Sequence, residues 1–270
     1  MWALAKINKC VIPAAGIGSR FYPLTRAQPK EMLPVLDRPV IHYVVEEAIK
    51  SGLDEVLIII GSGKDSIINY FDKHPLDDKE ENSGVIDFPD IYFIRQKSPL
   101  GLADSIKYAR DFTSNEPFVV LLGDTIYRSL VKRTVTQQLL EVYKKYNSTC
   151  LSLESVPKEK VRDYGMVKAE KVTNDIVRIK GVVEKPEPDQ TPSNLGVTGI
   201  YAFQPEIYDF ISRIKSGKNG EYQLSDAIDL MCKEMEVYGH IINGKRYDIG
   251  TMELWVKTFI EFAKSDKRFR

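Results

Sequence analysis

The sequence predicts an α/β protein, a three-layer αβα arrangement around a mostly parallel central sheet that continues into a mixed, strand-rich extension. Three observations lead there. Glu55–Ile60 and Phe118–Leu122 are short apolar runs without polar alternation, as strands covered on both faces require. Segments of helical spacing separate such runs, and a β-α-β-α order favours parallel strands with helices on both faces. After about residue 150 the helices thin out and strand-like segments follow one another.

The elements follow in order. Ile7–Ile12 is an apolar strand. Val40–Lys50 places Ile41, Val44, Val45, Ala48 and Ile49 on one helical face, with Pro39 suited to the first turn and Gly52 closing the helix. Glu55–Ile60 is a buried strand, Asp65–Phe71 a short helix, Ile91–Arg95 a strand and Leu102–Arg110 a helix. Phe118–Leu122 is a second buried strand and Lys132–Tyr146 a helix. Strands are expected over Cys150–Val156, Gly165–Glu170, Ile176–Glu184 and Val197–Phe203, then helices over Pro205–Ile214, Ser225–Glu236 and Thr251–Lys264. The segment 73–90, rich in charge, Pro and Gly, reads as a surface loop or lid-like excursion.

Composition narrows the function. Lys plus Arg equals Asp plus Glu at 38 each in 270 residues, so no overall field favours nucleic acid or a membrane surface, while a small anion held by local cations remains compatible. The charged first segment is too short for a signal peptide, and no apolar run approaches a membrane span, so a cytoplasmic protein is expected. Cys10, Cys150 and Cys232 are far apart and odd in number, and His42, His74 and His240 lack ligand spacing. Each cysteine sits in an apolar stretch and reads as a buried small hydrophobe, and all six as ordinary structural residues.

The chemistry-bearing segments begin where the first strand empties into Ala15-Gly-Ile-Gly-Ser-Arg20. Gly16 and Gly18 let backbone N–H groups approach phosphate oxygens, while Arg20 and Lys30 add positive charge. Asp124 stands just past the carboxyl end of a buried strand, the edge where α/β sheets bind ligands. It suits Mg²⁺, a bland turn being the alternative. Asp248 is a second carboxylate candidate, with helix capping as its competitor. Glu184 and Lys185 could take sugar hydroxyls and a phosphate, or be solvated. Gln96 offers a donor and an acceptor to a pyrimidine edge, and Gly101 lets a ring lie against backbone.

Together these segments resemble the sugar-1-phosphate nucleotidyltransferases, most closely the bacterial-type UTP–glucose-1-phosphate uridylyltransferases. The likeness spans nearly the whole chain. It is strongest over residues 15–20, over Pro29-Lys-Glu-Met-Leu-Pro34 and its continuation to Val45, and over Gly181-Val-Val-Glu-Lys-Pro186. Ser193-Asn194, Tyr222–Ile228 and Asp248-Ile-Gly250 add to it. The resemblance implies a Rossmann-like nucleotidyltransferase fold with a nucleotide-binding part (1–150), a sugar-phosphate-binding part (151–250) and a C-terminal helix (251–270). It implies Mg²⁺, held by Asp124 and Asp248. Ala14, Ala15, Gly16, Gly18, Ser19 and Gly123 would serve the nucleotide, with Arg20 on the leaving pyrophosphate and Lys30 on the reacting phosphates. Glu31, Gln96 and Gly101 would contact uracil. Tyr164, Gly165, Glu184 and Val197 would line glucose, and Lys185 would grip its phosphate. The implied substrates are UTP and glucose-1-phosphate, and the implied assembly is a homo-oligomer, a dimer or tetramer.

Val197-Thr-Gly-Ile-Tyr201 and Ser98-Pro-Leu-Gly-Leu-Ala103 resemble the related thymidylyltransferases instead, which makes dTTP, or dual specificity, the alternative. A nicotinamide-dependent oxidoreductase fails twice: Phe21 replaces the third glycine, and the second strand ends Ile60-Gly61-Ser62 without an acid for a ribose. No Gly-Lys-Ser/Thr follows the glycines, so a Walker-type kinase fails as well. A regulatory protein that only binds sugar nucleotides should have lost Arg20, Lys30, Asp124, Lys185 and Asp248; all are present.

Overall fold

The computed structural model describes residues 7–73, 88–217 and 220–269. Its strands are β1 (Lys9–Ala14), β2 (Pro34–Val35), β3 (Arg38–Pro39), β4 (Glu55–Ile60), β5 (Ile91–Arg95), β6 (Phe118–Leu121) and β7 (Thr125–Ser129). They continue with β8 (Cys150–Ser155), β9 (Gly165–Lys171), β10 (Ile176–Glu184), β11 (Leu195–Phe203), β12 (Val237–Ile241) and β13 (Gly244–Asp248). The helices are α1 (Val40–Lys50), α2 (Asp65–Phe71), α3 (Leu102–Lys107), α4 (Arg110–Thr113), α5 (Val135–Tyr146), α6 (Ile207–Arg213), α7 (Leu224–Glu234) and α8 (Met252–Ser265).

A nine-stranded sheet, ordered β5-β4-β1-β6-β11-β8-β12-β10-β9, runs through both halves of the chain. β5, β4, β1 and β6 are parallel; β11 is antiparallel to both its neighbours β6 and β8, and β10 to both β12 and β9. All strands except β11 and β10 therefore point the same way, and their carboxyl ends gather along one edge. The pleat explains the three layers. On β1, Val11 joins the apolar cluster under α3, α6 and α7, while Cys10 and Ile12 join the cluster under α1 and α5. On β4, Leu57 and Ile59 face one way, and Val56, Ile58 and Ile60 the other. A strand with two covered faces has no place for polar residues, which is why the runs are continuous.

A third apolar cluster holds the catalytic-side segments rather than the sheet. Phe21, Leu33, Val35 and Val40 pack with Ile126, Tyr247, Ile249 and Phe262, tying residues 21–40, the β7–β13 pair and α8 together. Trp255 Nε1 donates to the Pro34 carbonyl at 2.9 Å, and Tyr43 Oη to that of Val35 at 2.6 Å.

Several expectations need correction. The helix expected over Leu102–Arg110 is two pieces, because Tyr108 N and Ala109 N bond the carbonyls three residues back, of Ser105 and Ile106, and tighten the turn. The helix expected from Lys132 starts at Val135, where Thr134 and Gln137 form a capping box. Cys10 and Cys150 are buried, but Cys232 is only partly so. β7, β12 and β13, with the short β2–β3 pair, add strands that the pattern did not announce. Of the surface loop expected over 73–90, residues 74–87 lie outside the described residues, and His74 with them.

His42 lies inside α1 at 2% exposure, with Nδ1 2.8 Å from Tyr70 Oη and Nε2 3.4 Å from Arg38 Nη1. Burial, reinforced by Arg38, pushes its pKa down to about 4 from the ordinary 6.5. Between these values the unfolded chain takes up a proton that the folded chain refuses. This contribution is therefore whole above about pH 6.5 and is lost as pH falls towards 4, at up to about 1.4 kcal/mol per pH unit. Urea titrations should show that slope in the native chain and a flatter one in His42→Gln; equal slopes would contradict it.

Candidate active site

Two cavities, of about 380 and 340 Å³, open side by side at the carboxyl edge of the sheet. They share Gly18, Ser19, Lys30, Leu102, Leu122 and Asp124. Lys30 and Asp124 therefore stand where the cavities meet. Lys30 Nζ is 2.5 Å from Asp124 Oδ2, across 94 residues of sequence. Burial is the largest single influence and works against both charges, yet their mutual attraction and hydrogen bond, with Glu31, Asp248 and Lys64 nearby, together outweigh it: the Lys30 pKa is held above the ordinary lysine value and that of Asp124 below the ordinary carboxylate value. The pair stays ionised.

The first cavity collects Arg20, Tyr164, Gly165, Glu184, Lys185, Val197 and Asp248, together with Gly18, Ser19, Lys30 and Asp124. Arg20, Lys30 and Asp124 thus face one hollow. The second collects Ala15, Gly16, Glu31, Gln96 and Gly101. Ala14 is buried at the end of β1, and Gly123 lies behind the wall, its N–H on the Pro13 carbonyl at 3.3 Å; neither lines a cavity. Lys185 has φ of 46°, and its ammonium is 3.3 Å from Glu184 Oε1, so the two expected sugar-side groups begin as an ion pair.

Local backbone makes this convergence possible. Gly18 has φ of 70°, and a Cβ there would lie 2.9 Å from Thr25 Cγ2. Glycine lets the turn after β1 fold back over Thr25, whose hydroxyl donates to the Gly18 carbonyl at 3.1 Å. The short 3₁₀ turn Lys30–Met32 then sends adjacent side chains apart, Lys30 to Asp124 and Glu31 to Lys64. On β11, a bulge between Val197 and Tyr201 with Gly199 at φ 102° turns Val197, Thr198 and Gly199 towards the first cavity.

Asp248 reaches the site through the β7–β13 pair, whose register sets it opposite Thr125, next to Asp124. The cap of α8 is Thr251, which accepts from Leu254 N. The capping alternative for Asp248 therefore falls. Burial and then the neighbouring Asp124 charge raise its pKa, as expected for two carboxylates crowded together without a cation between them. Among the described residues no three His, Cys, Asp or Glu side chains cluster as a metal site. Two carboxylates lining one cavity with Arg20, Lys30 and Lys185 are nevertheless a donor set that fits Mg²⁺.

Sequence reasoning missed the residues that brace these groups. Arg246 lies 2.7 and 2.5 Å from Glu154 Oε1 through Nε and Nη2, 3.3 Å from Asp248 Oδ2 through Nη1, and 4.5 Å over the Tyr164 ring. Only the neighbouring Arg246-Tyr247-Asp248 pattern could have drawn attention to it. Lys64 is 2.7 Å from Glu31 Oε2, with the two side chains 6% and 2% exposed. Burial raises the Glu31 pKa and lowers that of Lys64. Removing one partner from such a pair strands a charge. Lys64→Met should cost about 3–5 kcal/mol by urea unfolding, and adding Glu31→Leu should recover most of it. An unchanged Lys64→Met midpoint would contradict the pairing.

The family model described as "Nucleotidyl transferase" matches residues 9–265. A Bacillus subtilis protein named UTP–glucose-1-phosphate uridylyltransferase is 38% identical over 99% of this chain and 94% of its own. One of the same name from Staphylococcus epidermidis is 39% identical over 97% and 94%. A crystal structure of UDP-glucose pyrophosphorylase complexed with UDP-glucose superposes with a TM-score of 0.91 at 36% identity, covering 97% of this chain and 100% of that one. With the family model matched over residues 9–265 and these relatives matched over nearly their full length, the chain belongs to the nucleotidyl transferase family.

Proposed function

We propose that the protein is a UTP–glucose-1-phosphate uridylyltransferase, making UDP-glucose and pyrophosphate. The observation that carries this reading is the wall the two cavities share, whose charged residues are Lys30 and Asp124: two separately bound ligands would meet along it. The full-length relatives named for this activity support it. The cavity with Gln96 and Gly101 would take the nucleotide base, and the one with Tyr164, Glu184 and Lys185 the sugar phosphate.

The attacking phosphate is already an anion, so the reaction needs no protein nucleophile and little proton transfer. The obstacle is electrostatic, since two polyanions must approach for in-line attack on the α-phosphorus. A cation 4 Å from a phosphate gains about 1 kcal/mol in water but about 4 kcal/mol at an effective dielectric near 20. Lys30, Arg20 and Lys185 would act in that more favourable range. Phosphate oxygens compete with Asp124 for the Lys30 ammonium, so binding replaces one ion pair by another instead of desolvating a free charge. Asp124 and Asp248 would hold Mg²⁺, which when bound supplies electrostatic stabilisation of the phosphates. Arg246 would keep Asp248 in place and stack on Tyr164.

No helix among the described residues is long and apolar enough to cross a membrane, and we read the protein as cytoplasmic. Met252, Val256 and Ile260, exposed at four-residue spacing along α8, would suit contacts between copies in a dimer or tetramer.

Mixing the protein with UTP, Mg²⁺ and glucose-1-phosphate should release pyrophosphate; no release would contradict the reading. Lys30→Ala and Asp124→Ala should each lower turnover by at least about 100-fold while leaving the far-UV spectrum unchanged. Near-normal rates in either would remove that residue from the site.

A further inference from the structure

Behind the base-side cavity, from Gln96 in its wall, runs a chain of contacts whose role the reaction does not explain. Gln96 Nε2 lies 2.7 Å from Asp104 Oδ2 and 3.5 Å from the Gly101 carbonyl oxygen. The other Asp104 oxygen is 3.3 Å from Lys107 Nζ, and that ammonium lies 4.7 Å from the centre of the Tyr222 ring. Tyr222 is fixed by backbone bonds from its N–H to Leu100 and from Ala103 N to its own carbonyl, at 2.7 and 3.1 Å. Gln96 and Asp104 are 5% and 8% exposed.

A primary amide has a donor end and an acceptor end, and a half-turn exchanges them. Both groups at the inner end of Gln96 are acceptors, one a carboxylate whose charge Lys107 supports. Only Nε2 can face them. The reversed amide would set its oxygen against the Asp104 carboxylate and the Gly101 carbonyl in a buried site, acceptor against acceptor with no proton between them. Oε1 is thus the amide atom left for a ligand in the cavity that Gln96 lines.

We propose that Asp104 is a positioning residue that selects uracil and thymine over cytosine, by locking the Gln96 amide with its acceptor towards the base. Uracil and thymine carry a donor, N3–H, between two carbonyls, and Oε1 meets it. Cytosine carries an acceptor at N3, which would face Oε1 with no proton between them. Asp104 does not touch the base; it acts through Gln96. The proposal rests on the assignment of this cavity to the pyrimidine nucleotide.

The test compares kcat/KM for UTP and CTP in Asp104→Asn, Asp104→Glu, Gln96→Ala and the Asp104→Asn/Gln96→Ala double variant. Asn matches Asp in size but offers both donor and acceptor, so the amide lock is released. The UTP-over-CTP ratio should fall by about tenfold in Asp104→Asn, with the loss for UTP appearing in KM rather than kcat. Asp104→Glu, which keeps the charge, should retain the ratio. Gln96→Ala should lower it, and Asp104→Asn should then add nothing. A ratio preserved in Asp104→Asn but lowered in Gln96→Ala would overturn the proposal and leave the base assignment standing. Equal losses in Asp104→Asn and Asp104→Glu would mark a packing effect and also overturn it. If Gln96→Ala alters neither the ratio nor KM for UTP, the base does not lie here and both readings fall.

Discussion

Everything at the carboxyl edge of the sheet is arranged around one ion pair, Lys30 with Asp124. It joins a short 3₁₀ turn after the glycine loop to the loop after β6, and it forms the only charged wall common to both cavities among the described residues. A lysine and an aspartate that stabilise one another's charge keep a cation ready without leaving it uncompensated in a half-buried site. Catalysis of phosphoryl-group transfer is mostly positioning and charge stabilisation, so in the proposed reaction a cation already held where two anions would meet supplies the principal requirement.

The pair is held from both sides by further charges. Glu31 and Lys64 sit behind it, and Asp248, Arg246 and Glu154 continue beyond it, so that cations and carboxylates largely alternate across the site. Apolar packing keeps this array in place. The cluster of Phe21, Leu33, Ile126, Tyr247 and Phe262 binds the Lys30 segment, the β7–β13 pair and α8 into one support. The C-terminal helix thereby takes part in positioning Asp248 although it contributes no side chain to either cavity.

Much of this was legible in the sequence, for identifiable reasons. Doubly buried strands such as β4 and β6 cannot tolerate polar residues, and the amphipathic stripe of α1 must face a sheet, so both show in the residue pattern. Gly16, Gly18, Arg20 and Asp124 follow strands closely, and the fold gathers strand ends, so their convergence could be expected; Lys30 lies well beyond β1 and is brought in by its own 3₁₀ turn. β12 and β13 were not legible: β12 is short and broken by Gly239, where a Cβ would collide with Leu153, and β13 alternates without an apolar run. The bracing contacts were equally hidden. Arg246 meets Glu154 across 92 residues and Lys64 meets Glu31 across 33, and local spacing carries no trace of such pairings. Asp104 stands in the first turn of α3, an ordinary place for a helix acid, and its local spacing carries no trace of the contact with Gln96.

The most direct test is a crystal structure of the protein with UDP-glucose and Mg²⁺. The account predicts uracil against Gln96 and Gly101, glucose beside Glu184, and the phosphates at the Lys30–Asp124 wall, with an oxygen within about 3 Å of Lys30 Nζ. A product lying wholly in one cavity, or with its phosphates away from Lys30, would contradict it.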